Sequence, residues 1–137
     1  MATPEEERTN RAVQLGFELG MVVREVGYKD DADQDLHDSV DSIAARDLLD
    51  LDFDGLADAV LIWFRDEDGD LTSMLEYAID ELGEGGMIWL LTPKTGRDGH
   101  VEPSDIQDAA RTAGLSRTRT ISVAKDWNGS RLTAGRH

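Results

Sequence analysis

Two stretches of the chain are apolar without interruption: Ala59-Val60-Leu61-Ile62-Trp63-Phe64 and Met87-Ile88-Trp89-Leu90-Leu91. A strand with no polar face needs cover on both sides, as at the centre of a parallel sheet. Met21-Val22-Val23-Arg24-Glu25-Val26, closed by Gly27, reads as a further core strand. Between these runs the period changes to that of a helix. Leu36, Val40, Ile43 and Ala44 make one stripe behind a capping Asp33. Leu71, Met74, Leu75, Ala78, Ile79 and Leu82 make a second, ended by Gly83, Gly85 and Gly86. Ile106, Ala109, Ala110 and Ala113 make a third, with Ser104 as cap and Gly114 as stop.

Toward the end the pattern alternates, from Thr118 to Val123. Asn128-Gly129 is a tight-turn signal, so a hairpin returning over Ser130 to Thr133 is expected. At the start, Thr3, Pro4 and Glu6 have the spacing of a capped helix that stops near Gly16. A short strand at Asp47 to Leu51 is possible only as an edge piece. The seven residues between Leu51 and Ala59 are too few for a parallel crossover.

Strands alternating with amphipathic helices predict a three-layer, Rossmann-like α/β fold, with a mostly parallel sheet and a C-terminal antiparallel hairpin. A length of 137 residues suits one domain, expected over residues 11–134, after a flexible acidic N-terminus at residues 1–10.

Charge changes this picture more than composition does. The net charge is -15, and it is uneven. Arg111, Arg117, Arg119, Lys125, Arg131 and Arg136 face one acid, Asp126, giving +5 from residue 111 onward and -20 before it. Such a field repels nucleic acid and anionic lipid, so neither is expected as a partner. An acidic, salt-adapted proteome would give the same balance. Arg117 and Arg119, two apart on a predicted strand, are explained by one exposed strand face. There is no cysteine, which removes thiolate chemistry and fits a cytoplasmic protein. No secretory or membrane-spanning segment is read from the pattern.

Residues 58–133 resemble the second half of a class I methyltransferase domain in the order of their elements: an Asp-led strand, a helix, a Gly-Gly turn, an apolar strand, a helix ending in Ala-Gly-Leu, and a closing hairpin. A closer resemblance, from about Leu15 to Leu132, is to short bacterial proteins, common in actinobacteria, grouped as domain of unknown function 3052. It is carried by Gly20-Met21-Val22-Val23, Glu25-Val26-Gly27-Tyr28, Asp58 to Phe64, Ile88-Trp89-Leu90-Leu91-Thr92-Pro93-Lys94, Gly99-His100-Val101-Glu102-Pro103-Ser104-Asp105-Ile106 and Lys125-Asp126-Trp127-Asn128-Gly129-Ser130-Arg131-Leu132. That resemblance implies a fold and no activity.

The methyltransferase resemblance implies a cofactor loop of the form Glu-x-Gly-x-Gly-x-Gly. Here Glu25-x-Gly27 is present, but Lys29 and Asp31 stand at the next two glycine positions. Their side chains would fill the space that backbone must leave for a cofactor. No cofactor is therefore expected. Asp50-Leu51-Asp52-Phe53-Asp54-Gly55 imitates a calcium loop, but its twelfth position is Leu61 rather than a glutamate. His37, His100 and His137 lack metal-ligand spacing, and no serine has nucleophile-elbow surroundings, so neither a metal nor a catalytic residue is expected. His37 is read as solvent-facing.

Ligands of open α/β sheets bind at the carboxyl ends of the strands. Those ends carry Gly27, Tyr28 and Arg65, with Lys94, Arg97 and His100 on the long loop from Thr92 to Pro103. They form a candidate anion site. Trp127, with Lys125 and Asp126, is a candidate contact for a protein partner, if the indole does not fold over the core edge. The favoured expectation is a non-catalytic regulatory or adaptor domain that binds an unidentified protein. A sensor of a small anionic metabolite and a divergent S-adenosylmethionine-dependent methyltransferase are the alternatives.

Overall fold

The runs without a polar face become the middle of a sheet that has five strands among the described residues. The computed structural model describes residues 12–18, 20–44 and 56–134. The strands are β1 (Val23–Val26), β2 (Ala57–Trp63), β3 (Leu82–Pro93), β4 (Leu115–Ser122) and β5 (Trp127–Ala134). Their order among the described residues is β1-β2-β3-β5-β4. β1, β2 and β3 are parallel, while β5 runs antiparallel to both β3 and β4.

Helix α1 (Gln34–Ile43) and a helical turn at residues 12–14 cover one face, and α2 (Leu71–Glu81) and α3 (Pro103–Thr112) cover the other. The strand period sorts the core into two halves. Ala59, Leu61, Trp63, Met87, Trp89 and Leu91 meet Leu36, Val40 and Ile43 of α1. Val60, Ile62, Phe64, Ile88 and Leu90 meet Leu71, Leu75, Ala78, Ile106 and Ala109. This is the expected three-layer α/β fold. Among the described residues no helix is long and apolar enough to cross a membrane.

Local chemistry sets the element ends. Asp33 caps α1 by accepting from the Leu36 amide at 3.0 Å, and Asp70 caps α2 by accepting from the Ser73 amide at 2.9 Å. α3 differs from expectation. Its cap residue is Glu102, with Pro103 in the first turn, so Ser104 lies inside the helix. Proline suits that position because its missing N–H had no helical partner to lose.

The hairpin also differs. Asn128 and Gly129 are not its turn but lie within β5, paired with Thr92 and Leu91 on one side and with Ser122 and Ile121 on the other. The chain reverses at 123–126 instead. Gly129 is required by packing, because a Cβ there would stand 2.6 Å from Val123 Cγ1 and 3.1 Å from both Leu91 Cδ2 and Trp89 Cε3. β3 likewise starts earlier than its apolar run, at Leu82, with an irregular register before Met87 pairs with Ala59. The predicted strand at Asp47 to Leu51, the acidic Asp50–Gly55 turn and most of the predicted first helix lie outside the described residues.

Candidate functional site at the strand ends

The carboxyl ends of β1 and β2 are pressed together. Gly27 follows β1 with φ +82, and a Cβ on it would lie 2.3 Å from the Trp63 carbonyl oxygen. Glycine is needed here so that the two chains can touch, whatever else binds nearby. Beyond β2 comes Arg65, a charged residue only 3% exposed.

Burial of a guanidinium demands partners for its donors. Arg65 Nε donates to Asp31 Oδ2 at 2.8 Å, and Nη2 donates to Asp31 Oδ1. Nη1 donates to the Gly27 carbonyl at 2.9 Å, the Trp63 carbonyl at 3.0 Å and Asp68 Oδ2 at 3.3 Å. The guanidinium carbon lies 5.1 Å from the centre of the Trp127 ring. The Trp127 indole N–H donates to the Asp31 carbonyl at 3.1 Å. Arg65 thus joins the end of β1, the loop after it, the end of β2 and the start of β5.

The charges respond accordingly. The hydrogen bonds from Arg65 hold the Asp31 carboxyl below its usual range. Burial pushes Asp68 up, but the amide and side chain of Arg65 and the ammonium of Lys29 outweigh it, and the net direction is down. Burial disfavours the Arg65 charge, yet the bonds to Asp31 and Asp68 reverse that and raise its pKa.

A second buried group lies below the first. Glu25, in β1, has a fully buried side chain. The Trp63 indole N–H donates to Glu25 Oε2 at 2.8 Å, and His37 Nδ1 lies 2.9 Å from the same oxygen. Burial pushes the Glu25 carboxyl up, against the lowering influence of His37 and Trp63. Tyr28 stacks on His37 with ring centres 4.0 Å apart, and Trp63 meets Trp127 edge-on at 5.0 Å. His37 is therefore a partner of the core carboxylate and not a solvent-facing residue, since only 14% of its side chain is exposed.

The residues singled out from the sequence fall into different roles. Gly27, Tyr28 and Arg65 come together at the β1 and β2 ends. Lys94, Arg97 and His100 follow β3, where the Arg97 amide donates to the Lys94 carbonyl and the His100 amide to the Arg97 carbonyl. Arg97 is paired with Asp126 at 2.7 Å. His100 Nδ1 lies 2.9 Å from the Pro93 carbonyl, and its Nε2 lies 3.8 Å from Glu102. Trp127 is 3% exposed, so the indole closes the core edge and is not a surface anchor. Lys125 is exposed and Asp126 half-exposed.

What remains open at the strand ends is a depression of about 570 Å³ lined by Lys29, Asp30, Asp31, Arg65, Glu67 and Asp68. Four carboxylates outnumber two cations there. Among the described residues no group of three or more histidine or acidic side chains is placed to hold a metal. Sequence reasoning missed Asp31, Asp68, Glu25 and His37 as parts of one construction. One signal was present: Arg65 directly follows six apolar residues and, in an acidic chain, is the only Lys or Arg between Arg46 and Lys94.

The family called Protein of unknown function (DUF3052) matches residues 12–136. The chain belongs to this family. A relative, Uncharacterized protein Rv2239c of Mycobacterium tuberculosis, is 43% identical over 124 residues, which span 90% of this chain and 78% of that protein. Uncharacterized protein Mb2263c of Mycobacterium bovis shows the same identity and coverage. Among solved structures, the CcbJ methyltransferase from Streptomyces caelestis aligns with a TM-score of 0.60 at 11% identity, covering 98% of this chain and 97% of that one. A ribosomal-protein methylase from Lactobacillus delbrueckii subsp. bulgaricus aligns at 0.57 and 15% identity, covering 95% and 78%. At such identities the likeness is one of fold. This DUF3052 member has the methyltransferase-type α/β architecture.

Proposed function

We propose that this chain is a non-catalytic adaptor or regulatory domain that binds a protein partner in the cytoplasm, on a scaffold shared with methyltransferases. One observation carries the proposal: Arg65 ties the ends of β1 and β2 together, and the depression left outside it is lined mostly by carboxylates. Arg65 is tied there to Asp31, Gly27 and Trp63. Asp31 occupies a position where a methyl-donor loop would carry glycine. A cofactor would have to displace a guanidinium that is hydrogen-bonded to both strand ends and would leave a buried charge short of its partners, which is unfavourable.

The pairing of Arg97 with Asp126 also speaks against a free anion site on the loop after β3, and so favours a protein partner over a metabolite. Calorimetric titration with S-adenosylmethionine and S-adenosylhomocysteine tests the proposal. No saturable heat is expected from either compound. Binding of either one in the micromolar range would return the chain to the methyltransferases. A stoichiometric protein complex surviving purification from the native cell is the positive expectation.

A further inference from the structure

The basic end of the chain acquires a geometry that its sequence does not suggest. β4 is an outer strand, and among the described residues only β5 pairs with it. Its register shifts between Arg117 and Arg119. Arg117 is opposite Leu132, whereas Arg119 is opposite Arg131. Neighbours along β5 point to opposite faces. The irregularity therefore sends Arg117 to the face covered by α3 and Arg119 to the other face. The two arginines straddle the sheet edge, and the single exposed strand face expected for them does not exist.

Each face adds a second arginine. On the α3 side, Arg111, from the last turn of that helix, and Arg117 line a groove of about 350 Å³ with Gln107, Ala110, Leu115 and Ser116. On the other side, Arg119 stands directly across from Arg131. Among the described residues, Arg111, Arg117 and Arg119 make no ion pair. In so acidic a chain, three neighbouring arginines with no carboxylate partner among the described residues concentrate positive charge at this edge.

We propose that the β4 edge is the docking surface of the adaptor, and that its occupant is an acidic, extended protein segment that pairs with β4 as a sixth strand. The proposal rests on the partner-binding reading above and names the chemistry of the partner. An added strand obtains affinity from main-chain hydrogen bonds and selectivity from its side chains. Those side chains alternate between the faces, so adjacent acidic residues would meet Arg117 with Arg111 on one face and Arg119 on the other. Arginine on an edge strand also blocks indiscriminate strand pairing. In this chain that protection leaves the edge open to acidic strands. A nucleic acid fits less well, because its many phosphates would extend beyond the basic edge into the field of a protein with net charge -15.

The test is fluorescence anisotropy on the full chain at low salt. The probe is a labelled, acetylated peptide, Thr-Val-Glu-Glu-Val-Thr, and the control replaces both glutamates by lysine. The acidic peptide is expected to bind and the lysine peptide not to. The double variant Arg117→Glu with Arg119→Glu is expected to weaken binding about tenfold or more. The neutral pair Arg117→Gln with Arg119→Gln should give an intermediate loss, and it guards against misfolding of the charge reversal. Failure of the acidic peptide to bind, equal binding of both peptides, or unchanged binding by both variants would overturn the proposal. So would binding of a single-stranded oligonucleotide that the same variants abolish. Methyl-donor titration reads the opposite end of the sheet order, so the adaptor reading and this edge can fail separately.

Discussion

At the scale of single residues, the strand-end construction makes a prediction about acid. Asp31 and Asp68 have folded-state pKa values below their usual ones because Arg65 holds them ionised. Groups of this kind add stability above the unfolded pKa, and the contribution is lost as pH falls through the folded one. Glu25 has the opposite sign. Burial raises it, so its contribution is largest below the unfolded pKa and disappears as pH rises through the folded value. Asp31→Asn should therefore flatten the acid limb of a plot of unfolding free energy against pH, while Glu25→Gln should steepen the net fall toward low pH. Urea unfolding across the acid range reads both slopes. Parallel curves for wild type and Asp31→Asn would show that Arg65 does not depend on this carboxylate. The sequence could not disclose this pairing, because Asp31 and Arg65 are 34 positions apart and neither lies in a motif.

At the scale of elements, legibility followed the amount of apolar surface. β2 and β3 have no polar face, and α1 and α2 have single stripes with capping aspartates, so propensity, pattern and packing agree. The expectations that failed rested on one or two residues. Asn128-Gly129 has the composition of a turn, but the sheet needs a residue without a side chain beside Trp89 and Leu91, and this tertiary demand outranks the local signal. Ser104 could cap a helix, but Pro103 enters the first turn ahead of it. His37 lies beside its helix stripe, yet the buried Glu25 on β1 draws it inward. The Gly129 reading has a consequence for stability. A turn glycine would owe its role to backbone conformation, whereas this one owes it to space. Gly129→Ala should cost about 1–3 kcal/mol through overcrowding of Val123 and Trp89. Denaturant unfolding measures that cost, and a loss of a few tenths would mean that the neighbours simply move aside.

At the scale of the whole molecule, the charge asymmetry ties stability to recognition. A net charge of -15 on 137 residues opposes the compact state by self-repulsion. Salt shortens the reach of that repulsion, from a Debye length of about 30 Å at 0.01 M to about 8 Å at 0.15 M. Sodium chloride over that range is therefore expected to raise the thermal midpoint by about 5 °C, since a domain of this size gains a few degrees per kcal/mol. The same ions screen the β4 edge, so binding of the acidic peptide should weaken over the range in which the fold strengthens. The opposed slopes distinguish two origins of the charge. A general acidity adapted to salt predicts the stability gain alone, because it assigns no role to the arginines at 111, 117 and 119. An acidic body with one basic edge predicts both trends, and it predicts that Arg117→Gln with Arg119→Gln reduces the salt dependence of binding while leaving that of the midpoint nearly unchanged. If peptide binding were as strong in high salt as in low salt, charge complementarity at the edge would have to be abandoned, even with the stability trend intact.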